Sequence, residues 1–406
     1  MRYLNTLVLL FCAMLSACGG GGGGSSSASG AASAASISIV TRMTQTNIVN
    51  TMAVGDVTGD GLDDVVVGGW NGNNTAYLYV FVQNTDGTLT DRTSTILPTN
   101  VYQGSQKVFI ADLDGDGRKD IFLPGFDDNC TGGASCPANS VIFWNQSGQF
   151  LKQQMAERTM AHGACLDDID SDGDLDMLVS GGYSGSVGGI YINNGSRSFT
   201  LNSSILPENS FDSCSIVHEP NGDISILLGD SWWTAEFKSN ITVLDSNLTL
   251  KYHIGVNSVH SRDLVNSIAI DVNNDGLKDF VMMFNGQLPS DGGSKEVWLN
   301  TGAGYTYSYT INHGHHNQYY THKFDYNGTP VVYFSGVNDK AQLFQLSAGS
   351  WISYQQSRFT TMAQSVGAHP GVLDWTVDAG VVYLNSSNNK IYMLQLLNKV
   401  FYTNEL

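Results

Sequence analysis

Basic residues are scarce in this chain: 19 Lys and Arg stand against 37 Asp and Glu, for a net charge of −18 at pH 7. A surplus of that sign argues against binding that works by neutralising phosphates, and so against nucleic acid and electrostatic docking on anionic lipid. Proline is scarce as well, with 8 residues against 45 glycines. That balance suits many tight turns joining short strands. Past the N-terminus no apolar run approaches the length of a membrane span. No nucleophile elbow, zinc-protease helix or phosphate-binding loop occurs, and Gly182-Tyr183-Ser184-Gly185 lacks the elbow spacing. The 406 residues leave room for one large domain or a few ordinary ones, with enough apolar and aromatic residues for a packed core.

What the chain does contain is a nine-residue acidic loop. In Asp112-Leu113-Asp114-Gly115-Asp116-Gly117-Arg118-Lys119-Asp120, carboxylates stand at positions 1, 3, 5 and 9 and glycine at position 6. A hard divalent cation takes about six to eight oxygens at short range, and alternate residues of a tight turn can aim theirs at one centre. The glycine suits a turn with φ above zero. An EF-hand would need Glu at position 12 and a helix on each side. Position 12 here is Leu123, and the flanks Val108-Phe109-Ile110 and Ile121-Phe122-Leu123 read as strands.

The loop recurs. Asp56 to Asp64 carries Asp56, Thr58, Asp60 and Asp64 at the same four positions; Asp168 to Asp176 carries Asp168, Asp170, Asp172 and Asp176; Asp271 to Asp279 carries Asp271, Asn273, Asp275 and Asp279. Worn outlines without the carboxylates follow the same plan at Val217–Ser225, Lys323–Gly328 and Asp374–Gly380. Starts at 56, 112, 168, 217, 271, 323 and 374 are spaced by 56, 56, 49, 54, 52 and 51 residues. Each unit holds four short strand signals. A repeat of that length and content predicts an all-β fold, a seven-bladed β-propeller of four-stranded blades over residues 37–406. Closing the ring falls either to Ile37–Met43, which is favoured, or to Val400–Tyr402 as the outer strand of the last blade.

With four motif copies in register with strands, residues 37–406 resemble the FG-GAP/VCBS repeat family, which includes the integrin α-subunit head. The resemblance implies that the loops join the first and second strands of their blades and bind calcium, at about four sites of structural character. It implies side-chain ligands at positions 1, 3, 5 and 9, and carbonyl ligands at position 7, which are Leu62, Arg118, Asp174 and Leu277. The fourth, sixth and seventh units lack the ligands.

The N-terminus reads as a processing segment: Arg2, a short apolar stretch from Leu4 to Leu15, then Leu15-Ser16-Ala17-Cys18. It resembles the lipobox of bacterial lipoproteins. That implies a signal peptide over residues 1–17 and a diacylated Cys18. A Gly/Ser/Ala tether over 18–36 would follow. Gly19 after the cysteine implies the outer membrane, by the enterobacterial sorting rule. Cys130, Cys136, Cys165 and Cys214 then form an even set in an oxidising compartment. Cys130 and Cys136 bracket one long loop. Cys165 and Cys214 each lie three residues before a unit's first position, so they make either a bridge between neighbouring blades or a buried thiol pair.

Loops on the face opposite the acidic ones carry Trp70, Phe126, Asp127, Asp128, Tyr183, Trp232 and Trp233, with Asn285-Gly286 and Asn338-Asp339. Segments leading into the first strands add His162, Asp212, Arg262, Asp263, Asn317, Gln318 and His369. Aromatics among Asn, Asp and Gly suit a glycan or protein partner. His313-Gly314-His315-His316 reads as a solvated loop. The favoured reading is a calcium-stabilised envelope module that binds a protein or glycan. The alternatives are a polysaccharide-acting hydrolase or lyase, and a structural subunit of an envelope assembly.

Overall fold

The computed structural model describes residues 38–42, 48–70, 76–102, 104–126, 138–181, 187–203, 211–230, 240–255, 263–285, 294–313, 320–335, 342–347, 349–353, 380–397 and 400–405. They all fall in the second of two compact units, Ala35–Leu406. Among them no helix is long and apolar enough to cross a membrane.

Strand β1 (Ser38–Arg42) comes first in the chain. The next sheet orders β2 (Ile48–Gly55), β3 (Asp64–Trp70), β4 (Ala76–Gln83) and β5 (Leu89–Asp91), with β6 (Val101–Tyr102) also on β4; α1 (Thr93–Ile96) lies between β5 and β6. Then come β7 (Phe109–Ala111), β8 (Asp120–Leu123), β9 (Ala138–Asn145) and β10 (Phe150–Thr159). The third sheet is β11 (Ala164–Asp167), β12 (Asp176–Val179), β13 (Gly189–Asn193) and β14 (Phe199–Asn202). The fourth is β15 (Phe211–His218), β16 (Ile224–Asp230), β17 (Asn240–Leu244) and β18 (Leu250–Gly255). The fifth is β19 (Asp263–Ile270), β20 (Asp279–Asn285), β21 (Ser294–Asn300) and β22 (Tyr305–His313). The sixth is β23 (Tyr320–Tyr326), β24 (Thr329–Ser335), β25 (Gln342–Ser347) and β26 (Ser350–Ser353). The last joins β27 (Gly380–Asn385), β28 (Lys390–Leu397) and β29 (Val400–Glu405) to β1. All pairings are antiparallel, and the arrangement is a β-propeller.

Burial explains why the second strands carry unbroken apolar runs. Val65, Val66 and Val67 are wholly buried, as are Met177, Leu178 and Val179. A strand covered on both faces has no polar side to alternate with. First strands lie at a sheet edge and alternate, as in β15. Apolar side chains gather between successive sheets. The sheet of β27 shares Val381, Tyr383 and Leu394 with Val65, Val67 and Phe81 of the first sheet. It also shares Val382, Ile391 and Met393 with Val331, Tyr333 and Leu343 of the sixth.

Three expectations are corrected. Four-stranded sheets number six rather than seven, because the sheet of β2 carries a fifth strand, β6. The fourth unit starts one residue later than its sequence suggests. Val217 pairs with Ser225, as Gly55 does with Asp64 and Ala111 with Asp120. His218 therefore takes the first position, still paired with Ile224 at the end of β15, and the span to Ser225 is one residue short. The start at 374 lies outside the described residues, and among the described residues Val381–Leu384, expected as a second strand, lies in the edge strand β27 of its sheet. Its hairpin turn lies between Asn385 and Lys390, β29 is third, and β1 pairs with β29 as the outer strand. The N-terminal segment thus completes that sheet.

Candidate metal centre

Each acidic loop hangs between a first and a second strand, and backbone hydrogen bonds shape it. The position-1 carboxylate turns back over the loop. Asp56 accepts from Gly59, Asp60 and Gly61 N–H at 2.6, 3.2 and 2.8 Å. Asp168 accepts from Asp172 and Gly173, both at 3.0 Å, and Asp271 from Asp275 and Gly276 at 3.2 and 2.9 Å. Position 5 accepts from the N–H of position 7: Asp60 from Leu62, Asp116 from Arg118, Asp172 from Asp174 and Asp275 from Leu277, at 2.8 to 2.9 Å. The backbone is left-handed not only at position 6 but also at position 4, occupied by Gly59, Gly115, Ser171 and Asn274. Two left-handed residues in one short loop turn successive amides inward.

Position 9 has a task beyond its expected role as a ligand. Asp64, Asp120, Asp176 and Asp279 are wholly buried. One oxygen of each accepts the N–H of position 2: Val57 at 3.0 Å, Leu113 at 3.0 Å, Ile169 at 2.9 Å and Val272 at 2.7 Å. The other accepts the N–H at the end of the third strand: Gln83 at 2.9 Å, and Asn145, Asn193 and Asn300 at 2.8 Å. This carboxylate ties three strands together. Burial, ahead of the neighbouring carboxylates, pushes Asp64 up to about 7 and Asp120 to about 6, and it raises Asp176 and Asp279 as well.

Three acids converge in two of the loops. Asp112, Asp114 and Asp116 bring ligand oxygens within 4.8 Å of one another, and so do Asp168, Asp170 and Asp176. Where position 3 is Thr58 or Asn273, no three acids come so close among the described residues. Thr58 Oγ1 instead donates to Asp56 at 3.4 Å, and Asn273 Nδ2 to Asp275 at 2.8 Å. The donor set is all oxygen, which suits Ca2+, Mg2+ or Mn2+ rather than zinc or copper. Asp112 Oδ1 is buried with no hydrogen-bond partner, an acceptor that a cation would satisfy. The acidic clusters therefore fit a hard divalent cation.

The worn units show what replaces the acids. In the fourth, Ser225 stands at position 9 and donates to Glu219 Oε1 at 2.8 Å, while Asn300 Nδ2 donates to Glu219 Oε2 at 3.1 Å. Lys251 Nζ approaches Ser225 Oγ at 3.2 Å. A local hydrogen-bond network stands where the other loops carry their acids. The sixth hairpin shrinks to the two residues Asn327 and Gly328, both left-handed, the geometry that a two-residue turn between twisted strands prefers.

A further set of residues escapes the acid spacing: Gln83, Asn145, Asn193 and Asn300, each at the end of a third strand. Asn145 Nδ2 donates to Val57 O at 2.8 Å and Lys119 O at 3.0 Å. Asn193 Nδ2 donates to Leu113 O at 2.7 Å and Leu175 O at 3.0 Å. Each amide therefore latches its own sheet to the acidic loop of the preceding one. Gln83 does the same across the chain ends, reaching Asp63 O at 2.6 Å and Leu384 O at 3.2 Å. The signal in the sequence is an Asn followed two or three residues later by Gly, as in Asn145–Gly148, Asn193–Gly195 and Asn300–Gly302. The Asn Oδ1 caps that glycine's N–H at 2.9 to 3.0 Å.

On the other side, Cys165 and Cys214 are disulfide-bonded, with Cα atoms 5.8 Å apart, across β11 and β15. His162 Nδ1 lies 3.7 Å from Asp212 Oδ1, and the Phe126 ring meets the His162 ring edge-on at 4.5 Å. Burial, reinforced by the Lys107 charge, pulls His162 down to about 4. Lys107 is itself lowered by burial. Cys18, Cys130, Cys136, Asp127, Asp128, Tyr183, Trp232, Trp233, Gly286, Asn338, Asp339, Arg262, Asn317, Gln318 and His369 lie outside the described residues, and for Trp70, Asn285 and Asp263 only the backbone is described. So do Gly314, His315 and His316, while His313 ends β22 with only its backbone described.

Residues 56–123 match the family model described as an FG-GAP-like repeat. The matched stretch runs from the first acidic loop through the second and ends with β8. No curated protein matches the chain.

Proposed function

On the premise of a β-propeller with an FG-GAP-like repeat, we propose that this protein is a calcium-stabilised binding or adhesion module of a bacterial cell envelope. The five-stranded sheet of β2 takes the seventh place in its ring of blades. Cys18 carries the lipid anchor at the outer membrane, and residues 18–36 hold the propeller away from the bilayer. A protein or glycan is bound on the face opposite the acidic loops. Calcium sits in the loops of Asp56–Asp64, Asp112–Asp120, Asp168–Asp176 and Asp271–Asp279. There it offsets carboxylate repulsion and holds first and second strands in register. One observation carries this reading: two loops converge three acids within 4.8 Å, and one of those acids keeps a buried, unpartnered oxygen. Every loop position is supplied by the chain itself, which favours a structural ion over a catalytic one.

The test is thermal unfolding with calcium and with a chelator, alongside a glycan array. Chelation is expected to lower the melting temperature by about 4 °C for each ~3 kcal/mol of binding energy lost, at ~2.1 cal/mol/K of unfolding entropy per residue, and so by ~10 °C or more with all four loops loaded. An unchanged melting temperature would remove the metal from this account. A glycan that is bound and then cleaved would turn the module into an enzyme.

A further inference from the structure

The four acidic loops are not electrostatically equal. Among the described residues, no Lys or Arg pairs with the acids at positions 1, 3, 5 and 9 of the loops starting at Asp56, Asp168 and Asp271. The loop starting at Asp112 has two such partners. Arg118 pairs with Asp116 from within the loop, and its Nε donates to Asn145 O at 3.1 Å. Arg197 arrives from the next sheet, in the turn between β13 and β14. Its Nε and terminal nitrogen both lie 2.6 Å from Asp114 Oδ2, and that terminal nitrogen is 3.8 Å from Asp116 Oδ2.

Arg197 is held there. Its guanidinium lies 5.2 Å from the centroid of the Trp144 ring, and Trp144 is fixed by a 2.7 Å bond from its Nε1 to Gln153 Oε1. Arg197 also occupies a left-handed backbone position, φ 59°, which residues with side chains resist. Asp114 is only 6 % exposed at its side chain. At this partly buried site a guanidinium on one ligand oxygen opposes the approach of a second positive charge.

We infer that Arg197 is an internal cation that competes with calcium for Asp114 and Asp116, so the loop starting at Asp112 is the weakest of the four sites and fills last. Filling it would draw the guanidinium off Asp114 and loosen a contact between the second and third sheets. That loop would answer to calcium concentration while the other three stay loaded. This inference rests on the calcium reading above, and its test separates the two.

The experiment is isothermal titration of chelator-treated full-length protein with CaCl2. Wild type is compared with Arg197→Met, which keeps an unbranched stem against Trp144, and with Arg197→Gln, should the first fold poorly. Asp112→Asn and Asp170→Asn assign the steps. Wild type is expected to show a weakest step that Asp112→Asn abolishes and Asp170→Asn leaves in place. Neutralising Arg197 should tighten that step by at least about tenfold and leave the tighter steps unmoved, a size in keeping with one partly buried charge pair. An unchanged or weakened step in both Arg197 variants would overturn the inference, because Arg197 would then position Asp114 rather than compete for it. Loss of a tight step in Asp112→Asn would overturn it as well. No calcium binding by wild type would sink the calcium reading itself.

Discussion

Asn193 offers the most direct test of the latch between a third strand and the preceding acidic loop. Its side chain is 1 % exposed and makes three hydrogen bonds: to Leu113 O at 2.7 Å, to Leu175 O at 3.0 Å, and from Gly195 N–H at 3.0 Å. Asn193→Ala removes all three and leaves two carbonyls and one amide without partners. At about 0.5–1.5 kcal/mol for each, the loss is about 1.5–4.5 kcal/mol. Asn193→Asp is the sharper perturbation. It keeps the acceptor for Gly195 but turns the amide donor into a carboxylate oxygen facing two carbonyls, and it adds a buried charge. Its cost should exceed that of the alanine variant, at about 4 kcal/mol or more. Urea unfolding followed by tryptophan fluorescence measures both, as shifts of midpoint at constant slope. Because the latch involves no loop ligand, the shifts should agree in calcium and in chelator. An aspartate variant as stable as wild type would refute the assigned donor and acceptor directions. Shifts that vanish on chelation would assign Asn193 to the metal instead.

Two further perturbations address other parts of the molecule. Reducing the Cys165–Cys214 disulfide, whose partners are separated by 49 residues, should cost about 4 kcal/mol on the chain-entropy account; Cys165→Ala with Cys214→Ala should reproduce the loss, and a reduced protein as stable as the oxidised one would contradict it. His322 is lowered from 6.5 to about 4 by burial, and its Nε2 is buried with no hydrogen-bond partner. The fold therefore holds it neutral. Its contribution is fully present above pH 6.5 and is lost as pH falls from 6.5 to 4, by about 3 kcal/mol at one pKa unit per 1.36 kcal/mol. A pH series of urea midpoints should show that acid limb in wild type and a flatter one in His322→Phe; equal limbs would place the acid sensitivity elsewhere.

The acidic spacing was legible because a cation loop needs particular residue types at fixed offsets. A period repeated along the chain then implies a repeated structural unit. The repeat loses its register where the residues change. At Val217 the turn has lost one residue, and nothing in Val217-His218-Glu219-Pro220 marks the loss; the offset emerges only from its pairing with Ser225. Near the C-terminus, Val381–Leu384 resembles the apolar second strands, yet β27 stands at the edge of its sheet among the described residues, with β28 as its partner. A short apolar run has the same composition in either position, so only the partner strands distinguish them.

Local chemistry, then, was decided by the sequence: which loops could hold a hard cation, which had lost the acids, and that short strands would join them. The tertiary structure alone decided the rest. Position 9 became a buried strut because its own loop and the end of the third strand present backbone N–H groups to it, and Asn193 became a latch because a neighbouring loop places a carbonyl 2.7 Å away. Arg197 and Asp114 stand 83 residues apart in the chain. Their meeting depends on how one sheet packs on the next, and no local pattern encodes that.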